Sequence, residues 1–175
     1  MDREPIALQN LSVRPLHLWA EQWLVLASGD FAARRYNAMA VGWGSLGTMW
    51  RKPFAQVVVR PTRYTRQFME KYDTFTLCAF PEACRDSVEL LGTRSGRDGD
   101  KIVQAGLTPT ASSKVAAPCF AEAELVIECR KIYWDDMDCA HFLDPAIQGN
   151  YPDEDYHRIY FGEIVAVQAA SSFRA

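Results

Sequence analysis

Phe54-Ala55-Gln56-Val57-Val58-Val59-Arg60-Pro61-Thr62-Arg63-Tyr64-Thr65 is the stretch on which the fold turns. Its first half follows Pro53 and is a run of apolar and β-branched residues, the signature of a strand. The strand stops at Arg60-Pro61, because proline has no N–H for the ladder. A helix over Thr62–Lys71 is predicted next, with Thr62 as N-cap and Tyr64, Phe68 and Tyr72 recurring every four residues on one face. The handover from strand to helix therefore gathers free backbone N–H groups, two hydroxyls and two guanidinium groups. That set forms an anion site suited to a phosphate monoester. The plainer alternative is a capped helix beside two solvated arginines.

Working outward, five more apolar runs bounded by Gly, Pro or Asp read as strands: Trp23–Ser28, Asn37–Val41, Thr74–Phe80, Glu122–Tyr133 and Tyr160–Val167. A second helix is predicted over Glu82–Leu91, ending at Gly92 as C-cap, and a short helical turn over Asp100–Gln104. Six strands with a few peripheral helices favour an antiparallel barrel over an alternating βαβ sheet. The polar stretches 92–106 and 109–118 read as long loops inside one domain rather than linkers. The expected domain is residues 1–175, with its core at 14–168 and a frayed C-terminal tail at 169–175. No internal repeat is present.

The 175 residues are 49% hydrophobic and 23% charged, a globular balance that excludes a disordered chain. Nineteen basic residues face twenty-two acidic ones, a formal net charge of -3. No overall positive field draws the chain to nucleic acid or to anionic lipid. The longest apolar runs fall far short of the ~20 residues that span a bilayer. The N-terminus, Met1-Asp2-Arg3-Glu4-Pro5, is followed by no apolar signal region, so a cytoplasmic protein is expected. Cys78, Cys84, Cys119, Cys129 and Cys139 include no C-x-x-C pair, and with scattered His17, His141 and His157 they predict neither disulfides nor a metal site.

Gly42-Trp43-Gly44-Ser45-Leu46-Gly47 matches G-x-G-x-x-G after a strand. A dinucleotide fold needs a helix to start there, and Thr48-Met49-Trp50-Arg51-Lys52-Pro53 is too short and ends in proline. These glycines either let backbone approach a flat ligand, with Trp43 and Trp50 beside it, or mark a hairpin turn with two core tryptophans. Thr93-Arg94-Ser95-Gly96-Arg97-Asp98-Gly99-Asp100-Lys101 adds three cations and two hydroxyls on a flexible loop, which alone would read as solvated.

Taken in order, Asn37–Gly44, Lys52-Pro53, Arg60–Thr65, Ser95-Gly96-Arg97 with Asp100-Lys101, and Asp155–Ile164 resemble the flavin reductase-like or flavoredoxin family over roughly Trp23 to Val167. The resemblance implies a mainly β, six-stranded antiparallel split β-barrel of Greek-key type. It implies a homodimer with FMN in a cleft between subunits. Asn37 and the Trp43-Gly44-Ser45 turn would lie along the isoalloxazine ring. Arg60, Thr62, Arg63, Tyr64 and Thr65 would hold the ribityl phosphate, joined by Ser95, Arg97 and Lys101. One departure is that Met39-Ala40-Val41-Gly42 lacks the hydroxyls that relatives carry before the Trp-Gly pair.

The function expected is hydride transfer from NADH or NADPH to FMN, then electron delivery to a flavin, a metal complex or a protein. Flavin does this chemistry, so no catalytic side chain is expected. A non-catalytic FMN-binding electron carrier and a flavin- or heme-sensing regulator stay open as alternatives. His157 reads as a structural histidine, since no partner residue stands out for it. The acidic runs Asp135–Asp138 and Asp153–Asp155 read as solvated turns.

Overall fold

The computed structural model describes residues 2–175. Its strands, in chain order, are β1 (Glu4–Ile6), β2 (Leu24–Asp30), β3 (Arg35–Val41), β4 (Gly44–Met49), β5 (Lys52–Val59), β6 (Thr74–Ala79), β7 (Pro109–Thr110), β8 (Cys119–Phe120), β9 (Leu125–Asp136) and β10 (Arg158–Ala169). The helices are α1 (Pro15–His17), which runs into a wider turn over Leu18–Gln22, α2 (Thr65–Lys71), α3 (Arg85–Thr93) and α4 (Lys101–Gln104).

Eight strands form one antiparallel sheet in the order β3-β2-β6-β9-β10-β5-β4, with β1 added on β10. The register between β9 and β10 shifts at Phe161/Gly162 and again at Ile164/Ala166, and such irregularities bend a strand and raise its twist. The path begins at β3 and ends at β4. These two strands follow one another in sequence yet do not pair, so the barrel is split between them.

Strand alternation sorts the apolar side chains into two cores. Leu24 and Leu26 of β2 turn inward with Val57, Phe75, Leu77, Ile127 and Tyr160. Val25 and Ala27 turn outward, where Val88 and Leu91 of α3, Ile102 of α4 and Phe120 cover them. Each such fully buried side chain contributes roughly 1.5–3 kcal/mol relative to exposure. This is why β2 is apolar on both faces, while β4, with no fully buried residue, is half open to solvent.

All six expected strands are present, with ends shifted by a few residues, and the mainly β split barrel holds. The count is larger by β1, β7 and β8, each only two or three residues long, and by β4, which carries Gly44-Ser45-Leu46-Gly47-Thr48-Met49 with no apolar run to reveal it. Pairing with β5 makes it a strand, through a two-residue turn at Trp50-Arg51 whose φ values are 53° and 60°. That is the left-handed geometry which suits a tight hairpin.

Three local expectations need correction. Helix α2 starts at Thr65 rather than Thr62, and no side chain caps it, because Pro61–Arg63 is spent on a turn closed by Arg63 N–H to Arg60 O (3.1 Å). Helix α3 passes through Gly92 to Thr93 instead of ending there. The C-terminal segment is not frayed, and the domain extends beyond 14–168 at both ends. Phe173 is only 8% exposed, Arg174 pairs with Leu11 and donates to Ala169 O, and Ala175 N–H donates to Asn10 O. At the other end Arg3 donates to Phe120 O (2.7 Å) and Ala123 O (2.8 Å). Both termini are held by partners more than a hundred residues away or by each other, contacts that no local pattern announces.

Candidate functional site

The split in the barrel opens a polar cleft. Strand β3 pairs only with β2, so alternate N–H and C=O groups along its other edge have no strand partner. Against that edge lies a cleft of about 410 Å³. Its walls are Met39 to Trp43 from β3 and its exit, Val58 and Arg60 from the end of β5, Thr62 and Arg63 from the turn, and Asp155 and His157 just before β10. At Met39, Thr62 and Arg63 it meets a narrower cavity of about 140 Å³, which Tyr64, Thr65, Ser95, Arg97 and Lys101 also line. Together they make one elongated slot, broad at the Trp43 end and narrow at the α2 end.

The narrow end is cationic. The half-buried guanidinium of Arg63 has no hydrogen bond or ion pair among the described residues. Burial, then the neighbouring charge of Arg60, lowers its pKa. Lys101 is 4% exposed and donates to Leu91 O (2.8 Å) and Arg94 O (3.1 Å) at the end of α3. Burial, then Arg63, brings its pKa down to about 8. Two cations held close without an acid between them repel one another, and an anion in the cavity would relieve both.

Hydroxyls complete this end. Thr65, 1% exposed, accepts from Asn37 Nδ2 (2.7 Å), so its own proton is free for another acceptor. Ser95 Oγ accepts from the N–H of Arg97 (3.2 Å). Gly96 makes the loop's approach possible. A Cβ there would lie 2.4 Å from Asn37 Oδ1 and 2.9 Å from the Tyr64 ring, which no side chain tolerates. Arg97 lies over the Tyr64 ring (5.1 Å) and donates to Thr62 O (3.1 Å), fixing the loop to the turn before α2.

The broad end is aromatic and apolar. Trp43, half exposed, leans on the His157 ring at 5.2 Å and 45°. His157 is 8% exposed, and its Nδ1 shares a 2.8 Å hydrogen bond with Tyr151 Oη. Burial, followed by the charge of Arg60, pushes its pKa down to about 4, although Asp155 pulls the other way.

Of the twelve residues singled out in the sequence, Trp43, Arg60, Thr62, Arg63, Tyr64, Thr65, Ser95, Arg97 and Lys101 line this slot. Arg60 is largely committed elsewhere, to Asp155 (2.7 Å) and Asn150 O (2.7 Å). Asn37 lies beneath the slot and orients Thr65. Gly44 and Ser45 are placed in β4, away from it. Gly44 lets the Trp19 ring pack, and Ser45 donates to Gln56 Oε1 (2.9 Å). Met39, Val58, Asp155 and His157 line the slot without having been singled out as its residues, because their placement depends on the β3–β10 geometry. Among the described residues no helix is long and apolar enough to cross a membrane, and no three His, Cys, Asp or Glu side chains gather to hold a metal ion.

A split antiparallel barrel with a basic, hydroxyl-lined pocket at one end of a ring-sized slot defines the class. The family model of the flavin reductase like domain matches residues 20–174, and the chain belongs to that family. Among solved structures it resembles flavoredoxin of Desulfovibrio vulgaris (Miyazaki F), with TM-score 0.67, 22% identity, and coverage of 98% of this chain and 78% of that one. It also resembles an FMN-binding domain of a flavin reductases-like enzyme from Shewanella baltica, with TM-score 0.68, 18% identity, and coverage of 96% and 77%. A third is the NADH:FAD oxidoreductase of Streptomyces globisporus, with TM-score 0.66, 13% identity, and coverage of 87% and 78%. Comparison with curated proteins found no match.

The buried histidine gives stability a specific pH dependence. Folded His157 stays neutral down to about pH 4, whereas the unfolded side chain takes its proton near the ordinary 6.5. Over that window the unfolded state binds more protons, so stability falls as pH drops from 6.5 to 4 and is complete above it. The whole shift corresponds to about 3–3.5 kcal/mol, of which about 2–3 kcal/mol falls between pH 7 and pH 4.5. Urea unfolding at pH 7 and pH 4.5 should show wild type losing that much more stability than His157→Gln. Equal losses would show that His157 titrates as a solvated imidazole.

Proposed function

We propose that this chain is an FMN-dependent oxidoreductase that takes reducing equivalents from NADH or NADPH. The observation that carries the reading is the half-buried Arg63 guanidinium, unpaired among the described residues and set among hydroxyls at the narrow end of the slot. A terminal phosphate monoester is the group that fits that donor set.

The residues present suit the whole cofactor. Arg63, Thr62, Thr65 and Ser95 would hold the phosphate, with Lys101 behind them. Met39, Val41 and Val58 offer an apolar bed for a flat ring system. The free edge of β3 supplies backbone donors and acceptors to the ring's polar rim, in place of the hydroxyls missing from Met39–Gly42. Bound there, the flavin supplies hydride acceptance and onward electron delivery, to another flavin, a metal complex or a protein.

The protein's part is positioning. His157, held neutral by burial, places no added positive charge at the broad end. Trp43 leans on His157 rather than across the cleft, which leaves a face for a nicotinamide and favours a reductase over a carrier. Outside the cleft, Met49, Trp50 and Tyr133 are exposed, and Trp50 and Tyr133 pack with Phe161 into an aromatic patch. Patches of this kind mark association surfaces, and on it we place the second copy of a homodimer. Light scattering that reports only the 19.8 kDa monomer at micromolar concentration would remove that assignment.

Arg63→Ala tests the phosphate end. A hydrogen bond to a charged group is worth roughly 1.5–3 kcal/mol, so FMN should bind about ten- to a hundredfold more weakly. Riboflavin, which has no phosphate, should be barely affected. Equal weakening of both ligands would mean that Arg63 supports the fold instead.

Reduction tests the activity. Mixed without oxygen with equimolar NADH or NADPH, the FMN-loaded protein should lose its oxidised-flavin absorbance within minutes. Persistence of the yellow colour with both nucleotides, while dithionite bleaches it at once, would make the protein an electron carrier.

A further inference from the structure

A second hollow is larger than the slot. A groove of about 1040 Å³ lies on the far side of the partition that Asn37, Tyr64 and Gly96 form beneath the narrow end. It is framed by the β2–β3 hairpin, the outer face of α2 and the loop at 96–102. That is the upper end of small-molecule pocket volumes, roughly 300–1,000 Å³.

Two aromatic walls line it. Along α2 and its two flanking residues, Tyr64, Phe68 and Tyr72 follow one another at four-residue spacing, with Phe68 and Tyr72 nearly parallel at 6.3 Å and 15°. On the hairpin, Phe31 and Tyr36 stack at 6.1 Å and 26°. The hairpin tip is fixed: Asp30 Oδ1 accepts from Ala33 N–H (3.0 Å), Phe31 N–H donates to Ala116 O (2.9 Å), and Arg34 has φ 54°. A left-handed φ at a non-glycine residue persists where the surroundings enforce it.

The charges in the groove do not balance. Arg34, Arg35 and Lys71 line it, and among the described residues none of them pairs with an acid. Asp100 is the one acid on the wall, and its Oδ1 is spent on the N–H groups of Ile102 and Val103, 3.1 Å each, at the start of α4. Aromatic faces with unpaired cations at the rim recognise a flat heterocycle that carries an anion.

We propose that this groove binds a mononucleotide, its base against the α2 aromatic wall and its phosphate on Arg34, Arg35 and Lys71. The groove shares Tyr64 and Lys101 with the narrow end of the slot, so AMP binding and FMN content are read side by side. A net charge of -3 and the acidic runs near 135–138 and 153–155 disfavour a longer nucleic acid, which needs a continuous basic track.

The test is equilibrium dialysis of the FMN-loaded protein against AMP, adenosine and inorganic phosphate, with bound FMN read separately from its own absorbance. AMP should bind saturably, with adenosine and phosphate each at least about tenfold weaker. Arg35→Ser and Lys71→Ser, both on the exposed rim, should each weaken AMP about tenfold while FMN content and thermal midpoint stay unchanged. Phe68→Leu should weaken AMP and adenosine together. Several results would overturn the proposal: no saturation at millimolar AMP, AMP binding that the rim variants leave unchanged, AMP bound only when FMN is absent, or tighter binding of an oligonucleotide. Rim variants that halve the mass by light scattering without an AMP effect would assign the groove to a second copy of the chain. If FMN itself fails to bind, AMP dialysis on the unloaded protein and its rim variants still decides this site.

Discussion

The site depends on one contact, the ring of Trp19 against the backbone of Gly44. A Cβ on Gly44 would lie 2.4 Å from that ring and 2.3 Å from Gln56 O, so only glycine permits the approach. The segment carrying Trp19 is held by Gln22 Nε2 donating to Phe80 O (3.1 Å) and by Arg85 over the Trp23 ring (4.1 Å). Trp19 Nε1 is buried without a partner among the described residues, at a cost of about 1–3 kcal/mol. Packing thus outweighs a hydrogen bond here. Gly42 and Gly44 both lie against the Trp19 segment, at the connection where the chain passes from β3 to β4 without the two strands pairing.

From that split the chemistry follows. An unpaired β3 edge would be an aggregation hazard in an ordinary sheet, and natural proteins cover such edges or use them. Here α3 packs on β3 from one side while the slot opens along its edge. The turn at Pro61–Arg63 then delivers Arg63 into the slot instead of extending α2 by another turn. A helix beginning at Thr62 would have shortened the very segment that carries the donors. The loss of a local capping bond is thereby coupled to the gain of a cationic pocket.

Much of the fold is legible because strand alternation and proline stops are local signals. Val57-Val58-Val59 before Arg60-Pro61 reads as a strand, and the short helical turn expected over Asp100–Gln104 is present as α4, where Asp100 turns out to be the cap. Strand β4 was hidden because its residues are polar and small, and only pairing with β5 makes them a strand. The ends were hidden for a different reason: Arg3 and Phe173 act through partners across the sequence. Within the candidate site, the gathering of the cationic narrow end was readable, since its residues cluster in two short stretches. The broad end was not, since Met39, Val58 and His157 meet only after three strands have been arranged. The G-x-G-x-x-G run deceived in an instructive way, because Gly44 answers to a tryptophan packing beneath it rather than to a ligand above.

The remaining question is why Lys101, 4% exposed and desolvated, was not replaced by an apolar residue of its size. Its ammonium has three protons, and two go to the carbonyls of Leu91 and Arg94 at the C-terminal end of α3, where a cation meets the negative end of the helix dipole. Methionine would fill the volume but leave both carbonyls unsatisfied, with the desolvation penalty that follows. Lys101 also lines the cavity that Arg63 and Ser95 share. Lys101 therefore joins the helix end to the pocket: it ties the start of the Ser95–Arg97 loop to the place where α3 stops and keeps positive charge behind the narrow cavity. A residue that looks like one more charge on a solvated loop is in this way the tie between the barrel's outer core and its cleft.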